Sequence, residues 1–152
     1  MSQHLAFREE LISQIPALQL LMAMGYRYLT PDEALAHRGG KLSNVILDDI
    51  LEERPQILNW IEYKGNRHAF SSSNIKQAIE TLKGEMYDGL VSTNERLYEL
   101  LTLGVSLRQT IDGDTKSYSL RYIDWQHPEN NVYHVTDEFS VEKRLRDRKS
   151  VV

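Results

Sequence analysis

Residues 118–141 read YSLRYIDWQHPENNVYHVTDEFSV, and this stretch decides the fold because apolar side chains alternate along both of its halves. Alternation with a period of two is typical of β-strands, whose successive side chains point to opposite faces of a sheet. The largely apolar face of each predicted strand includes one acid, Asp124 in the first strand and Asp137 in the second. Residues 127–131, HPENN, form a turn cluster, since proline fixes its own backbone angle and restricts the residue before it. The stretch therefore predicts a β-hairpin with a polar connection.

The segment before this hairpin predicts one more strand. After Gly104 the apolar period changes from that of a helix to that of a strand, and residues 105–111 alternate up to the pair Asp112-Gly113. An Asp-Gly pair favours a tight hairpin turn, because both central positions of that turn need a positive φ angle. The C-terminal third of the chain is therefore predicted to be a three-stranded antiparallel β-meander.

Helical patterns dominate the N-terminal two-thirds. The clearest start is Thr30-Pro31-Asp32-Glu33, which combines a capping hydroxyl, a proline in the first turn and an acid three residues after the cap. Besides a short helical segment in the first twelve or so residues, the predicted helices are 16–24, 31–37, 43–53, 75–82 and 92–103. The sequence thus predicts an α+β fold, with a bundle of about five helices followed by the β-meander.

Two of these helices carry more specific predictions. Apolar side chains surround helix 16–24 almost completely, which predicts that it is buried against several neighbours. Gly25 follows it and is predicted to end it in the left-handed conformation. Pro55 is predicted to interrupt the helix that begins near residue 43, because proline lacks the N–H group that a helix interior requires.

Composition narrows the class of protein. The chain has 152 residues, 41% of them hydrophobic, and no cysteine, so disulfides, thiolate catalysis and cysteine-ligated zinc are excluded. No apolar run reaches the length that spans a bilayer, and the start lacks the pattern of a secretory signal, so we expect a cytoplasmic protein without a membrane partner. The net charge is −4, although residues 143–149 hold five basic residues and one acid. The rest of the chain is therefore acidic, which disfavours independent DNA binding.

Acids and histidines crowd into the predicted hairpin, and both are ordinary metal ligands. The six residues are Asp124, His127, Glu129, His134, Asp137 and Glu138. Their spacing matches no known metal motif, and on paired strands they would face different sides. The alternative is that Asp124 caps the turn while the others face water.

Other catalytic and cofactor motifs are absent from the sequence. It contains no nucleophile elbow, and Lys41 after two glycines lacks the spacing of a phosphate-binding loop. We therefore assign no catalytic, cofactor-binding or metal residue.

Three blocks of the sequence carry a resemblance to a known family. They are MGYRYLTPDEALAHRGGKLSN, LLTLGVSLRQTIDGD and YIDWQHPENNVYHVTDEFSVE, and their order and spacing over residues 5–144 resemble the N-terminal region of the restriction (R, or HsdR) subunit of type I restriction-modification enzymes. The resemblance implies an incomplete restriction-endonuclease-like domain. It also implies that the complete subunit is a type I site-specific deoxyribonuclease that joins methyltransferase (M) and specificity (S) subunits, translocates DNA with ATP and cuts it with Mg²⁺.

The resemblance transfers no catalytic residue to this chain. Residues 138–142 match the block that precedes the family's metal ligands, but the Arg-Pro-Asp block and the later acid and lysine have no counterpart. We therefore expect residues 1–146 to form a single incomplete nuclease domain, 147–152 to be a non-native tail, and the chain to need no cofactor by itself.

The same resemblance suggests how the chain associates, and leaves its role open. The predicted strand 131–142 would be an exposed sheet edge, which favours self-association. Three roles stay open: a truncated nuclease that is inactive alone, a separate module that binds other restriction-modification subunits, and an unrelated small-molecule-binding domain.

Overall fold

The computed structural model describes residues 10–84 and 90–142, and these fall into two compact units. One unit combines the chain up to Asp48 with the segment from Val132 onward, and the other is Asp49–Asn131. Within the described ranges no helix has both the length and the apolar character needed to cross a membrane. The predictions for the first residues and for the tail 147–152 fall outside the described residues.

The first unit begins with a π-helical turn, Glu10–Gln14, that leads directly into helix α1, Ile15–Ala23. The helix ends as predicted, because Gly25 has φ +97° and the Tyr26 N–H donates to the Leu21 carbonyl at 3.0 Å. The prediction that this helix is buried is wrong: no residue of α1 is buried, and Leu20 is 63% exposed. When apolar side chains lie all round a helix, their pattern does not indicate which face is buried. Helix α1 contacts two short strands, β1, Arg27–Tyr28, and β6, His134–Val135.

Helix α2, Pro31–His37, follows β1 and has the predicted start. The Thr30 hydroxyl accepts from the Glu33 N–H at 3.2 Å, and the Glu33 carboxylate accepts from the Thr30 N–H at 2.8 Å. These two bonds satisfy backbone donors that a helix N-terminus otherwise leaves without partners. Ala34 on its inner face is 2% exposed and forms part of the small core of this unit with Leu29.

The predicted third strand of the meander is the main correction to the fold. Residues 131–142 do not form an antiparallel strand; β6 is two residues long and pairs in parallel with β1, in the register Arg27 to His134 and Tyr28 to Val135. The described sheets are two-stranded pairs: β1 with β6, Ile61–Tyr63 with Asn66–His68, and Val105–Ile111 with Asp114–Leu120. Self-association through an antiparallel edge at residues 131–142 therefore loses its structural basis. The predicted hairpin 118–141 spans both units, since its residues up to Asn131 belong to the second unit and those from Val132 onward belong to the first.

In its described residues, the second unit contains two hairpins, three α-helices and the short 3-10 helix Pro128–Asn130. Helix α3 is Asp48–Leu58, β2 is Ile61–Tyr63, β3 is Asn66–His68, α4 is Ser72–Gly84, α5 is Leu90–Leu103, β4 is Val105–Ile111 and β5 is Asp114–Leu120. The described part of the chain has five α-helices, which agrees with the predicted number. The predicted turn at Asp112-Gly113 joins β4 to β5 with both φ angles positive. The predicted break at Pro55 is wrong, since Pro55 is buried inside α3.

The core of the second unit lies between α4 and the two hairpins. Its buried residues are Ile61, Tyr63, Phe70, Ile75, Ala78, Ile79, Leu82, Leu107, Ile111, Leu120 and Tyr122. Tyr122 is the last of these buried residues in the chain, and its hydroxyl donates a hydrogen bond to the Ala78 carbonyl at 2.6 Å. Burial raises the pKa of Tyr122 to about 12, so the hydroxyl keeps its proton and remains a donor.

Candidate functional site

The polar loop after β5, residues 121–131, holds the acid that the sequence singles out. Two hydrogen bonds to Asn59 fix the backbone of Arg121, directly after β5. The Arg121 N–H donates to the Asn59 side-chain oxygen, and the Asn59 side-chain amide donates to the Arg121 carbonyl, both at 2.7 Å. Asn59 is buried directly after α3, where its N–H and side chain both donate to the Pro55 carbonyl. One asparagine therefore ties the end of a helix to the start of this loop.

Asp124 organises the loop. Its Oδ1 accepts from the Gln126 N–H at 3.2 Å and the His127 N–H at 3.1 Å, and its Oδ2 accepts from the Asn130 side-chain amide at 3.0 Å. The residue is 4% exposed. Two backbone donors and one side-chain donor therefore occupy a carboxylate that water cannot reach freely.

Asn131 closes the same loop from its other end. The Asp124 N–H donates to the Asn131 side-chain oxygen at 2.8 Å, and the Asn131 amide donates to the Asp124 carbonyl at 2.8 Å. This pair of bonds replaces the two bonds that a facing strand residue would exchange with Asp124. Sequence reasoning placed Asn131 in the turn but missed this role. The available signal was the pair Asn130-Asn131, six and seven positions after an acid.

The charge state of Asp124 follows from its donors. The Asn130 amide, together with the His127 N–H and the nearby Arg121 guanidinium, holds the pKa of the Asp124 carboxyl below its usual range. The Arg121 Nη1 lies 3.6 Å from Oδ1, and the His127 Nδ1 lies 3.9 Å from the same atom. Asp124 is therefore ionised at neutral pH, where the loop geometry depends on its negative charge.

The six predicted metal-ligand candidates do not form one site. Asp124, His127 and Glu129 belong to the second unit, while the remaining three belong to the first. In residues 10–84 and 90–142 no group of three or more His, Asp or Glu side chains could hold a metal ion. The alternative for Asp124 is confirmed: it caps its turn.

In the first unit two of the remaining candidates serve local packing. The Tyr28 hydroxyl donates to the Asp137 carboxylate at 2.7 Å, and this bond raises the pKa of Tyr28 above its usual value. Burial lowers the pKa of His134, so its imidazole is neutral at physiological pH. The Tyr28–Asp137 bond links the end of β1 to the segment that follows β6.

The comparisons with known proteins agree on one family. A sequence model described as "Type I restriction enzyme R protein N terminus" matches residues 6–150. The chain is 25% identical over 131 residues to the "Type I restriction enzyme HindI endonuclease subunit" of Haemophilus influenzae. That match covers 84% of this chain and 12% of the relative, so the chain spans about one-eighth of the relative's length. No solved structure matches the chain. Because the family model covers nearly all of the sequence, the chain belongs to the family of type I restriction enzyme R proteins, as their N-terminal region.

Proposed function

We propose that the chain acts as the N-terminal part of an R subunit that, when complete, translocates DNA using ATP and cuts it with Mg²⁺ in assembly with M and S subunits. The family match and the similarity to an endonuclease subunit support this proposal. The residues described here would supply a structural part of that subunit, and the cutting and ATP chemistry would belong to other parts of it.

The state of Asp124 is the single observation that carries the non-catalytic part of the proposal. A carboxylate that serves Mg²⁺ must offer oxygen lone pairs to the ion. The oxygens of Asp124 instead accept two backbone N–H groups and the Asn130 amide, and the residue is buried. A metal bound there would compete with the three hydrogen bonds that the carboxylate accepts from the loop. Asp124, which lies in the Ile-Asp-Trp stretch of this chain, is therefore a structural residue in this proposal.

A second candidate function is a stand-alone, non-catalytic module that binds other restriction-modification subunits. The apolar surface of α1 and of Met24 just after it favours this function, because Leu20, Met22 and Met24 are each more than half exposed. Buried apolar contacts are typical of stable subunit interfaces. The stretch from Leu11 to Met24 contains no charged residue, so a partner would desolvate no charge there.

Binding to M and S subunits separates the two functions. The module hypothesis predicts that the purified chain forms a stable complex with an M–S assembly in analytical ultracentrifugation, and that Leu20→Glu abolishes it. Ile57→Glu is the matched control, because Ile57 is 48% exposed and lies in the other unit. The first proposal predicts no stable complex with the chain alone. A complex that survives Leu20→Glu would contradict the role of α1.

A further inference from the structure

Arg38 is a buried positive charge at the end of α2. It is 2% exposed, although arginine is almost never fully buried in proteins without dedicated partners. Its hydrogen bonds go to backbone carbonyl oxygens: Nε donates to Asn44, Nη1 to Ser140 at 2.9 Å and Nη2 to Leu42 at 2.6 Å. A planar guanidinium with donors in a fixed fork can serve three such acceptors at once, and a lysine ammonium on a flexible stem cannot do so in the same geometry.

These three carbonyls belong to two parts of the chain that are distant in sequence. Leu42 and Asn44 lie in the loop after α2, while Ser140 lies in the segment after β6. The two parts also meet directly, because the Glu142 N–H donates to the Leu42 carbonyl at 3.1 Å. The Arg38 guanidinium further lies 4.1 Å from the centre of the Phe139 ring. Arg38 therefore contacts both sides of a junction between the loop and the C-terminal segment.

Regular backbone structure does not hold the segment 138–142 in place, since these residues lie in no strand or helix. Glu138 adopts φ +48°, a left-handed conformation that costs a non-glycine residue about 1–2 kcal/mol. A cavity of about 180 Å³ separates parts of α2 from this segment, lined among others by Leu35, Glu138 and Phe139. The side chains of α2 therefore leave open space beside the segment.

We propose that Arg38 is a positioning residue that fixes residues 138–142 against α2. No strand pairing holds this segment, and the guanidinium holds it instead. Its hydrogen bond to the Ser140 carbonyl and its stacking on the Phe139 ring fix the position of the segment beside α2. The functional importance of Arg38 rests on the proposed function. In a complete R subunit the segment 138–142 would lead toward the nuclease residues, and Arg38 would fix the position from which that part of the chain starts.

Amide hydrogen exchange of the 152-residue chain tests this role for Arg38. In Arg38→Lys the charge stays but the fork is lost, and we expect exchange at the Glu142 N–H to become about 100-fold faster. The Leu29 N–H, which donates to the Val135 carbonyl at 2.8 Å in the same unit, should keep its protection. Arg27→Lys, a change at an exposed arginine of the same unit, should leave both amides unchanged.

Two outcomes would overturn the proposal. Unchanged protection of Glu142 in Arg38→Lys would show that the segment is held without the fork. An equal loss at Glu142 and Leu29 would show that Arg38 only supports the folding of the whole unit. Neither result depends on nuclease activity or on other subunits, so failure here is distinguishable from failure of the proposed function.

Discussion

Replacing Gly104 by alanine should lower the free energy of unfolding of the second unit by about 3–4 kcal/mol. Gly104 ends α5 with φ +79°, a left-handed conformation that alone costs alanine about 1–2 kcal/mol. A Cβ atom at this position would also lie 2.2 Å from the Leu120 carbonyl oxygen. Leu120 is fully buried in β5, so its backbone cannot move away without disturbing the core.

Gly113→Ala is the matched control for this prediction. Gly113 has nearly the same angle, φ +80°, but a Cβ atom there would meet nothing within 4 Å. Urea denaturation followed by tryptophan fluorescence should give a loss of about 1–2 kcal/mol for the control, from backbone strain alone. Equal losses in the two variants would show that the close approach of Gly104 to β5 does not exist in solution.

Replacing Asp124 by alanine should lower the thermal unfolding midpoint of the second unit by on the order of 10 °C. The change would leave the N–H groups of Gln126 and His127 and the Asn130 amide without their acceptor. Unsatisfied donors of this kind cost more than the bonds themselves contribute. Glu129→Ala is the control, because Glu129 is an exposed acid of the same loop. A midpoint for Asp124→Ala as high as that of the control would contradict the structural role.

The lowered pKa of Asp124 also predicts that the stability of the second unit depends on pH. Its folded-state pKa is lowered, so its stabilising contribution is complete above the unfolded pKa near 4 and is lost as the pH falls through the folded pKa. The stability difference between the natural chain and Asp124→Asn should therefore be constant above about pH 5 and shrink below about pH 4. A difference that grows on acidification would contradict the assigned charge state.

The sequence predicts those elements whose signals are local. The capping box at Thr30 and the turn at Asp112-Gly113 form as predicted, because each depends on neighbours within three or four residues. Gly25 ends α1 for the same reason. These signals mark where helices and strands begin and end, and the spacing of apolar residues between them indicates the type of each element. Together they predict the α+β class and the five α-helices of the described residues.

Distant pairings were not predictable in this way. The parallel pair β1–β6 joins two-residue strands from opposite ends of the chain, and a strand so short has no period to detect. The alternation at 131–142 therefore led to the wrong partner. Pro55 inside α3 is a similar case, since its burial and the Asn59 bonds to its carbonyl depend on packing.

The candidate site was predictable in its residues but not in its geometry. The turn cluster singled out Asp124, and the sequence allowed two hypotheses for it, capping of the turn or metal binding. The choice between capping and metal binding depends on which donors reach the carboxylate, and Asn130 and Asn131 reach it through loop geometry that no spacing rule describes. Arg38 was missed because its three acceptors are backbone carbonyls, which any sequence supplies.

Plasmid cleavage by the purified 152-residue chain in the presence of Mg²⁺ tests the central claim most directly. The proposal that this N-terminal region is structural and non-catalytic predicts that supercoiled DNA stays intact, with or without ATP, because the carboxylate of Asp124 is occupied by hydrogen-bond donors. Metal-dependent cutting that is lost in Asp124→Ala or Asp137→Ala would contradict it.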